Sequence, residues 1–468
     1  MRFKGLLLAA VSLLLVTSCN GGGESSPTTS STEPTSTSTT DPLPPEPEVL
    51  KLRLNLAGSL HAGKVYQLEF DYEDAFFSRN AKTYDKEMSM LSYGAAMSTD
   101  SFAHLKNYYE QAKFKAITGK NYDITPTEDT AGYSFAYKLI DDYYVVAVTF
   151  RGLNYGAEWS NNFIMGKSGD HEGFLARATE AFSDLNAYVS EHCSDKTLKL
   201  WINGYSRGGA LANVLSSLIL RSDCLNVRQE DMFTYTFEAP YCLSEENSIA
   251  YENVHNIINS NDLITNIPPA AYGFGRCGVD YPIYDENIST LAREFDNGLI
   301  IPEFVEIDAG KELTNDQELC EFIVETTFEG KVAPEGYECR NRDEYVDRYQ
   351  EGLSYAIGLM FALSDSTRSA LLASLTSLDM MSLLAILGDD TGKALADFIK
   401  PYLDNDHIEY DYDILVARCL VLRNAIYYVL IQPLLIFANE TYRPSVTRLI
   451  DMHYPESVYV LLVNAHKK

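Results

Sequence analysis

Apolar residues along the chain recur with two spacings, which predict strands that alternate with helices. Short apolar runs typical of buried strands lie at 133–140, 143–150, 198–202, 232–237 and 254–258. Segments with helical spacing lie at 85–98, 102–115, 174–189 and 210–220. This order predicts an α/β fold with a mainly parallel sheet and crossover helices, in which ligands bind beyond the carboxyl ends of the strands.

The strand at 198–202 runs into Gly204-Tyr-Ser-Arg-Gly208, and the helix at 210–220 follows directly. In a sharp strand-to-helix turn, the two glycines let the backbones approach while Ser206 is held in a strained conformation with its hydroxyl exposed. The helix N-terminus behind it would stabilise an anion. A glycine-rich loop is the plain alternative, but the strand and helix on either side favour a nucleophile elbow.

A serine hydroxyl needs a base within hydrogen-bonding reach and an acid that orients this base. The order on such a fold is serine, acid, histidine. Asp262 follows the strand at 254–258 and is the predicted acid, with a surface-turn aspartate as the alternative. Of the downstream histidines, His407 lies in an acidic loop and His466 is expected to be frayed. His453 precedes an apolar segment and is therefore the predicted base.

An oxyanion hole needs the backbone N–H that follows the nucleophile, here that of Arg207, and a second N–H from an earlier strand-to-loop turn. The strand at 143–150 ends on Arg151-Gly152. The backbone N–H of Leu153 is therefore the predicted second donor.

Together these blocks resemble the class 3 lipase family of α/β-hydrolases. The matching segments stand in the family's order at 149–152, 171–174, 204–209, 235–240, 258–262 with 267–269, and at His453-Tyr-Pro. The resemblance implies the α/β-hydrolase fold, with Ser206 as nucleophile, Asp262 as orienting acid and His453 as general base. It also implies oxyanion donors at Leu153 and Arg207.

Residues 154–163 fall where that family carries its lid, so this segment is expected to shield the site. His171 is generally structural in the family and is interpreted in the same way here. The chain departs from the family at Leu153, where Ser or Thr is common and would add a hydroxyl to the oxyanion hole. It also departs at Tyr205 and Arg207, where His and Leu are common. These departures leave the triad intact and bear on substrate preference.

Roughly 190 residues separate Asp262 from His453, more than such a fold needs. We therefore predict a hydrolase core at 49–284 and 439–468, interrupted by a mostly helical insertion at 285–438 that caps the active-site mouth. Within it, 285–345 is acidic and irregular, and 414–438 is a buried helix rather than a membrane span. Helical spacing is clearest at Leu371, Leu372, Leu375, Leu378, Leu383, Leu384 and Leu387, with Asp379 as a cap.

The first residues predict export. Residues 1–18 combine a basic start with a short apolar run, and 16–19 resemble the lipobox of bacterial lipoproteins. This resemblance implies lipidation at Cys19 and a lipid-anchored, extracytoplasmic location in a bacterial cell envelope. An ordinary secretory signal is the alternative. The segment 19–48 is rich in Ser, Thr and Pro, and is therefore a tether that cannot bury apolar surface.

The formal charge of −29 (37 − 66) argues against nucleic acid as a partner and against adhesion to anionic lipid. An exported chain permits disulfides, and Cys193–Cys224 and Cys320–Cys339 are plausible pairs by their proximity in sequence. The cysteine and histidine spacings do not match a zinc motif. The acidic run at 404–413 lacks the glycine of an EF-hand loop, so a solvated loop is favoured over a calcium site. No cofactor is expected.

These observations predict a serine ester hydrolase of the lipase or carboxylesterase type, with an ester substrate and a membrane contact through the lipid anchor. One alternative keeps the triad but acts on acetylated or feruloylated polysaccharide. The 32 tyrosines would suit a carbohydrate cleft. A second alternative is a non-catalytic surface-binding lipoprotein on a hydrolase scaffold.

Overall fold

The computed structural model describes residues 49–58, 64–127, 129–222, 224–283, 339–377, 391–424 and 452–467, with single positions at 324, 382, 385, 386, 388 and 389. The leader at 1–18, Cys19, the tether, most of the acidic stretch at 285–345, and residues 425–451 lie outside this range. The predictions that rest on them, including the boundaries at 284 and 438, stay predictions.

A seven-stranded sheet forms the centre of the molecule. A separate antiparallel hairpin is formed by β1 (Leu50–Ala57) and β2 (Val65–Tyr72). A further pair of two-residue strands joins Leu243–Ser244 to Phe274–Gly275. The strands of the sheet, in chain order, are β3 (Lys115–Lys120), β4 (Tyr133–Ile140), β5 (Tyr143–Phe150), β6 (Thr197–Tyr205), β7 (Met232–Phe237), β8 (Val254–Asn259) and β9 (Val279–Ile283). The strand order is β9-β8-β7-β6-β5-β4-β3. Strands β5 to β9 are parallel, and β4 and β3 add antiparallel pairings at one edge.

The helices lie between and after these strands. Their bounds are α1 (Lys86–Met97), α2 (Phe102–Gln111), α3 (Glu172–His192), α4 (Arg207–Leu220), α5 (Arg342–Tyr345), α6 (Glu351–Ala362), α7 (Asp365–Ser377), α8 (Lys393–Asn405), α9 (Tyr412–Asn424) and α10 (Pro455–Lys467). A π-helical stretch, Val346–Gln350, joins α5 to α6. Short 3₁₀ helices lie at Asp74–Ser78, Ser98–Asp100, Gly156–Phe163, Gln229–Asp231, Glu245–Asn247, Ile264–Asn266 and Ala270–Tyr272.

Two apolar layers cover the sheet. On one face, the β1–β2 hairpin packs with α1, α2 and α10 around a cluster that includes Trp201 and Phe77. On the other face, α3 and α4 pack around a cluster that includes Leu200, Val148 and Leu185. A mainly parallel sheet with helices on both faces is the α/β-hydrolase fold that the sequence predicts.

The described part of the insertion is helical, as predicted. Helix α6 packs directly on the 3₁₀ segment Gly156–Phe163. The Gln350 side chain accepts hydrogen bonds from the N–H groups of Met165 (2.7 Å) and Gly166 (3.2 Å). The insertion is thus attached to the segment that was predicted to be a lid.

Several predictions about individual segments are wrong. Helix α2 ends at Gln111 rather than at 115, because Lys113 turns the chain at φ 65° into β3. His466 is not frayed, since it lies in α10 and its Nε2 bonds the Tyr84 hydroxyl at 2.9 Å. Cys193 is buried and Cys224 is exposed, and both are free thiols, so the bridge that their proximity in sequence made plausible does not form. The alternative pair involves Cys320, which lies outside the described residues.

No helix in the described ranges is both long enough and apolar enough to cross a membrane. Helix α9 covers the first part of the predicted buried helix at 414–438. The acidic run at 404–413 ends α8 and begins α9, with mostly exposed side chains.

Candidate active site

The turn between β6 and α4 holds Ser206 in a backbone conformation that non-glycine residues rarely adopt, with φ 52° and ψ −124°. Its N–H donates to the Phe237 carbonyl at 2.8 Å, which ties the turn to the end of β7. A Cβ on Gly204 would lie 2.0 Å from the Gly208 carbonyl oxygen, and one on Gly208 would lie 2.6 Å from that of Phe150. Only glycine permits this approach, so the sequence pattern folds into a nucleophile elbow.

Ser206, His453 and Asp262 form one hydrogen-bonded chain. His453 Nε2 lies 2.8 Å from Ser206 Oγ, and His453 Nδ1 lies 2.5 Å from Asp262 Oδ2. All three side chains are nearly inaccessible to solvent. In a buried site, the carboxylate holds the ring so that Nε2 faces the hydroxyl as an acceptor. The structure therefore brings together the three side chains that the sequence singled out.

The loop after β8 fixes the orientation of Asp262. Its N–H donates to the Asn259 carbonyl at 3.0 Å, and its Oδ1 accepts from the Ile264 N–H at 2.8 Å. The Asn259 amide donates to the Met452 carbonyl at 3.0 Å, which couples this loop to the segment that carries His453.

Two tyrosines hold the segment of His453. The Tyr205 hydroxyl donates to the His453 carbonyl, and the two rings stack with centroids 5.5 Å apart. The Tyr93 hydroxyl donates to the Pro455 carbonyl at 2.6 Å. Tyr205, one of the departures from the family pattern, thus helps to hold His453 in place.

The two predicted oxyanion donors lie on either side of the elbow. Arg207 is the first residue of α4, where backbone N–H groups have no partner within the helix. Gly152 packs so closely on the Tyr205 carbonyl oxygen that a Cβ would lie 2.0 Å from it, and Leu153 follows immediately. Their backbones therefore border Ser206, and the oxyanion role stays a prediction.

The Arg207 side chain points away from the reacting atoms into a buried ionic cluster. Its Nε lies 3.6 Å from Glu158 Oε2, and its Nη1 donates to the Asn162 side chain at 3.0 Å. Arg151 pairs with the other oxygen of Glu158. Burial lowers the pKa of the Arg207 guanidinium, and the Glu158 carboxylate opposes that change. The cluster fastens the segment Gly156–Phe163 to the nucleophile helix.

His171 is structural, as the resemblance implies. It is fully buried, its Nε2 lies 3.1 Å from the Asn162 carbonyl oxygen, and its ring stacks on Phe174 at 4.1 Å. Burial lowers its pKa to about 3, so the ring is neutral at physiological pH.

Sequence reasoning missed Glu238, which follows β7 directly. It is fully buried, and its side chain hydrogen-bonds that of Asp262. Burial raises the pKa of the Glu238 carboxyl well above its ordinary value, and the negative charge of Asp262 adds to this. The one sequence signal was its position at the carboxyl end of a predicted buried strand. Within the described residues, no cluster of His, Cys, Asp and Glu is arranged to hold a metal.

Comparisons with known proteins match part of the chain. A lipase of Rhizomucor miehei is 30% identical over 131 residues, which are 26% of this chain and 34% of that lipase. The chain thus spans about a third of the length of this relative. Among solved structures, a Rhizomucor miehei triacylglyceride lipase superposes with a TM-score of 0.31 at 19% identity, over 44% of this chain and 83% of the other. A lipase from Rhizopus microsporus var. chinensis gives 0.33 at 16% identity, over 44% and 77%.

The model of one protein family also matches this chain. The matched residues include Ser206 and Asp262 and end before His453. Residues 147–272 are similar to the family described as lipase (class 3).

Proposed function

We propose that this protein is a serine ester hydrolase that cleaves acyl esters through an acyl-enzyme. The observation that carries the proposal is the hydrogen-bonded chain from Asp262 through His453 to Ser206, with distances of 2.5 Å and 2.8 Å. The strained elbow and the match of residues 147–272 to class 3 lipases support it. The mechanism follows from the positions of these groups.

In the first half of the reaction, Ser206 Oγ attacks the ester carbonyl carbon while its proton passes to His453 Nε2. The backbone N–H groups of Leu153 and Arg207 stabilise the oxyanion. The tetrahedral adduct collapses, the bond to the alcohol oxygen breaks, and His453 gives its proton to that oxygen. In the second half, His453 takes a proton from water, whose oxygen attacks the acyl carbon. The bond to Ser206 Oγ then breaks, His453 gives its proton to that oxygen, and the carboxylic acid is released.

The proposed substrates are lipid acyl esters, since the matched proteins are named as lipases. The proposed location is outside the cytoplasm of a bacterial cell, with Cys19 lipidated and the segment 19–48 as the tether. The apolar leader and its lipobox-like end support this part of the proposal.

The test uses the full-length chain in detergent with a fluorophosphonate probe and p-nitrophenyl esters of increasing acyl length. Ser206→Ala should abolish labelling and lower kcat by at least about 10⁴-fold. Ser217→Ala is the matched control, because Ser217 is a buried serine on the same helix α4. It should label and turn over like the wild type.

Absence of labelling in the wild type would indicate a non-catalytic scaffold. Activity confined to acetyl or feruloyl esters would place the substrate among acylated polysaccharides instead of lipids.

A further inference from the structure

Glu238 occupies an unusual backbone position beside the triad. It follows the last residue of β7, has φ 49°, and is fully buried. Its N–H donates to the Ile257 carbonyl at 3.0 Å. A long side chain in the left-handed region is strained and persists only where its surroundings hold it. The surroundings of Glu238 therefore offset the free-energy cost of its strained backbone.

The Glu238 carboxyl group faces the triad acid. Both of its oxygens lie 3.0 Å from the Asn259 N–H, and the carboxyl group hydrogen-bonds the side chain of Asp262. Two carboxyl groups in such contact cannot both be ionised in a buried site, so one of them holds a proton. Both oxygens of Asp262 already act as acceptors, Oδ2 from His453 Nδ1 and Oδ1 from the Ile264 N–H. The shared proton therefore resides on Glu238.

The other charged and titratable groups around Glu238 do not reverse this assignment. Tyr93 and Tyr205 are buried phenols whose pKa values are raised well above their ordinary value, first by burial, so they stay neutral. Glu456 on α10 is also fully buried and lies near both tyrosines. Arg276 is the nearby cation, but its guanidinium pairs with Asp280 at 2.8 Å.

We propose that Glu238 is a positioning residue that stays protonated and donates a hydrogen bond from its carboxyl group to the Asp262 carboxylate. The inference rests on the proposed hydrolase function of the triad. A neutral donor fixes the rotamer of Asp262 without placing a second negative charge near the His453 ring. The imidazolium that forms during acyl transfer is then stabilised by one carboxylate, and its proton remains transferable to the leaving alcohol.

Two variants separate this role from a merely structural one. Glu238→Gln keeps the size, an acceptor for the Asn259 N–H and a neutral donor for Asp262. It should keep kcat, KM and the acid limb of the kcat/KM pH profile at their wild-type values. Glu238→Met keeps the volume but removes the donor. It should lower kcat about tenfold, which corresponds to about 1.4 kcal/mol, with little change in KM.

The pH profile shows whether the Glu238 carboxyl group is neutral or negatively charged. In Glu238→Met, the Asp262 carboxylate loses a donor and attracts the imidazolium proton more strongly, so the acid limb should move to higher pH. If Glu238 were ionised in the wild type, Glu238→Gln would remove a negative charge near the ring and move the acid limb to lower pH. That shift, or wild-type behaviour of Glu238→Met, would overturn the proposal.

A measurement without substrate keeps this test independent of the proposed function. The midpoint of the His453 ring titration can be followed by NMR in the wild type and in Glu238→Gln. Equal midpoints support a neutral Glu238, and a lower midpoint in the variant contradicts it. Failure of the wild type to label or to hydrolyse esters would refute the hydrolase function, while the titration would still decide the state of Glu238.

Discussion

His171 illustrates how a buried titratable residue sets the pH range of stability without a part in the chemistry. Its ring packs on Phe174 and lies against the Asn162 carbonyl, close to the segment that Arg207 also contacts. The His171 ring therefore helps to attach the segment Gly156–Phe163 to the core. Burial lowers its pKa from 6.5 to about 3, so the folded state resists protonation that the unfolded state accepts.

We expect the free energy of unfolding to fall as the pH drops from about 6.5 to about 3, with a contribution from His171 of about 1.4 kcal/mol per pH unit. Between these values the unfolded state binds the proton and the folded state does not, so acid favours unfolding. His171→Gln should remove this part of the pH dependence. Urea unfolding at several pH values measures the difference.

His104→Gln is the control, because the contribution of His104 to the free energy of unfolding changes with pH in the opposite direction. The Asp100 carboxylate raises the pKa of His104, so its contribution is present below about 6.5 and is lost as the pH rises through the folded value. Equal pH slopes for the wild type and His171→Gln would contradict the burial argument.

At the level of single residues, the sequence predicts what the chain order and a local motif determine. Ser206, Asp262 and His453 follow from the elbow, the strand ends and the serine, acid, histidine order. Glu238 does not, because its role depends on a carboxyl contact between two loops that follow different strands. The expectation of a frayed His466 fails for a similar reason, since its partner Tyr84 lies 382 positions away.

The element that departs most from a simple expectation is the 3₁₀ segment Gly156–Phe163. It was predicted to shield the site as a lid, and its residues Trp159 and Glu158 are buried where helix α6 packs on it. Glu158 sits between Arg151 and Arg207, and the Ser354 hydroxyl of α6 donates to the Ser160 carbonyl at 3.3 Å. The segment is thus fastened on both sides.

Glu158→Gln should lower the free energy of unfolding by roughly 3 kcal/mol, because it leaves two buried guanidinium groups without a countercharge. Chemical denaturation followed by fluorescence measures the change. Asp347→Asn is the control, since it breaks the exposed ion pair with Lys167 and should have no measurable effect. If Glu158→Gln is as stable as this control, the cluster does not hold the segment.

Periodicity predicts the sheet strands β4 to β8, because each of them contains a short apolar run, but it does not predict the edge strands β3 and β9. The β1–β2 hairpin was not predicted, although its alternation of apolar and polar residues is strict, with buried and exposed positions in register. Helix α2 was predicted too long because the positive φ of Lys113 leaves no trace in the apolar pattern.

At the scale of the whole molecule, charge and architecture act together. The chain carries a formal charge of −29, and helix α6 of the insertion packs on the segment Gly156–Phe163. An anionic lipid surface that contains the ester therefore repels the negatively charged protein. Neutral lipid surfaces carry no such penalty.

We expect hydrolysis of an ester embedded in anionic vesicles to speed up as ionic strength rises from about 0.01 M to about 0.15 M. The Debye length falls from about 30 Å to about 8 Å over that range, which screens the repulsion. Rates on neutral vesicles and on a soluble p-nitrophenyl ester are the controls and should not change. A rate on anionic vesicles that is flat or falls with salt would contradict the electrostatic argument.

The distance along the chain between the acid and the base has a consequence for biosynthesis. Ser206 and Asp262 follow strands of the sheet that residues up to 283 complete, whereas His453 lies in the segment that leads into α10. A ribosome-bound chain that has emerged as far as residue 283 would present a serine and an aspartate without their histidine. Such an unfinished chain would lack the general base of the proposed triad, so the proposed activity would arise only after the segment with His453 has been made.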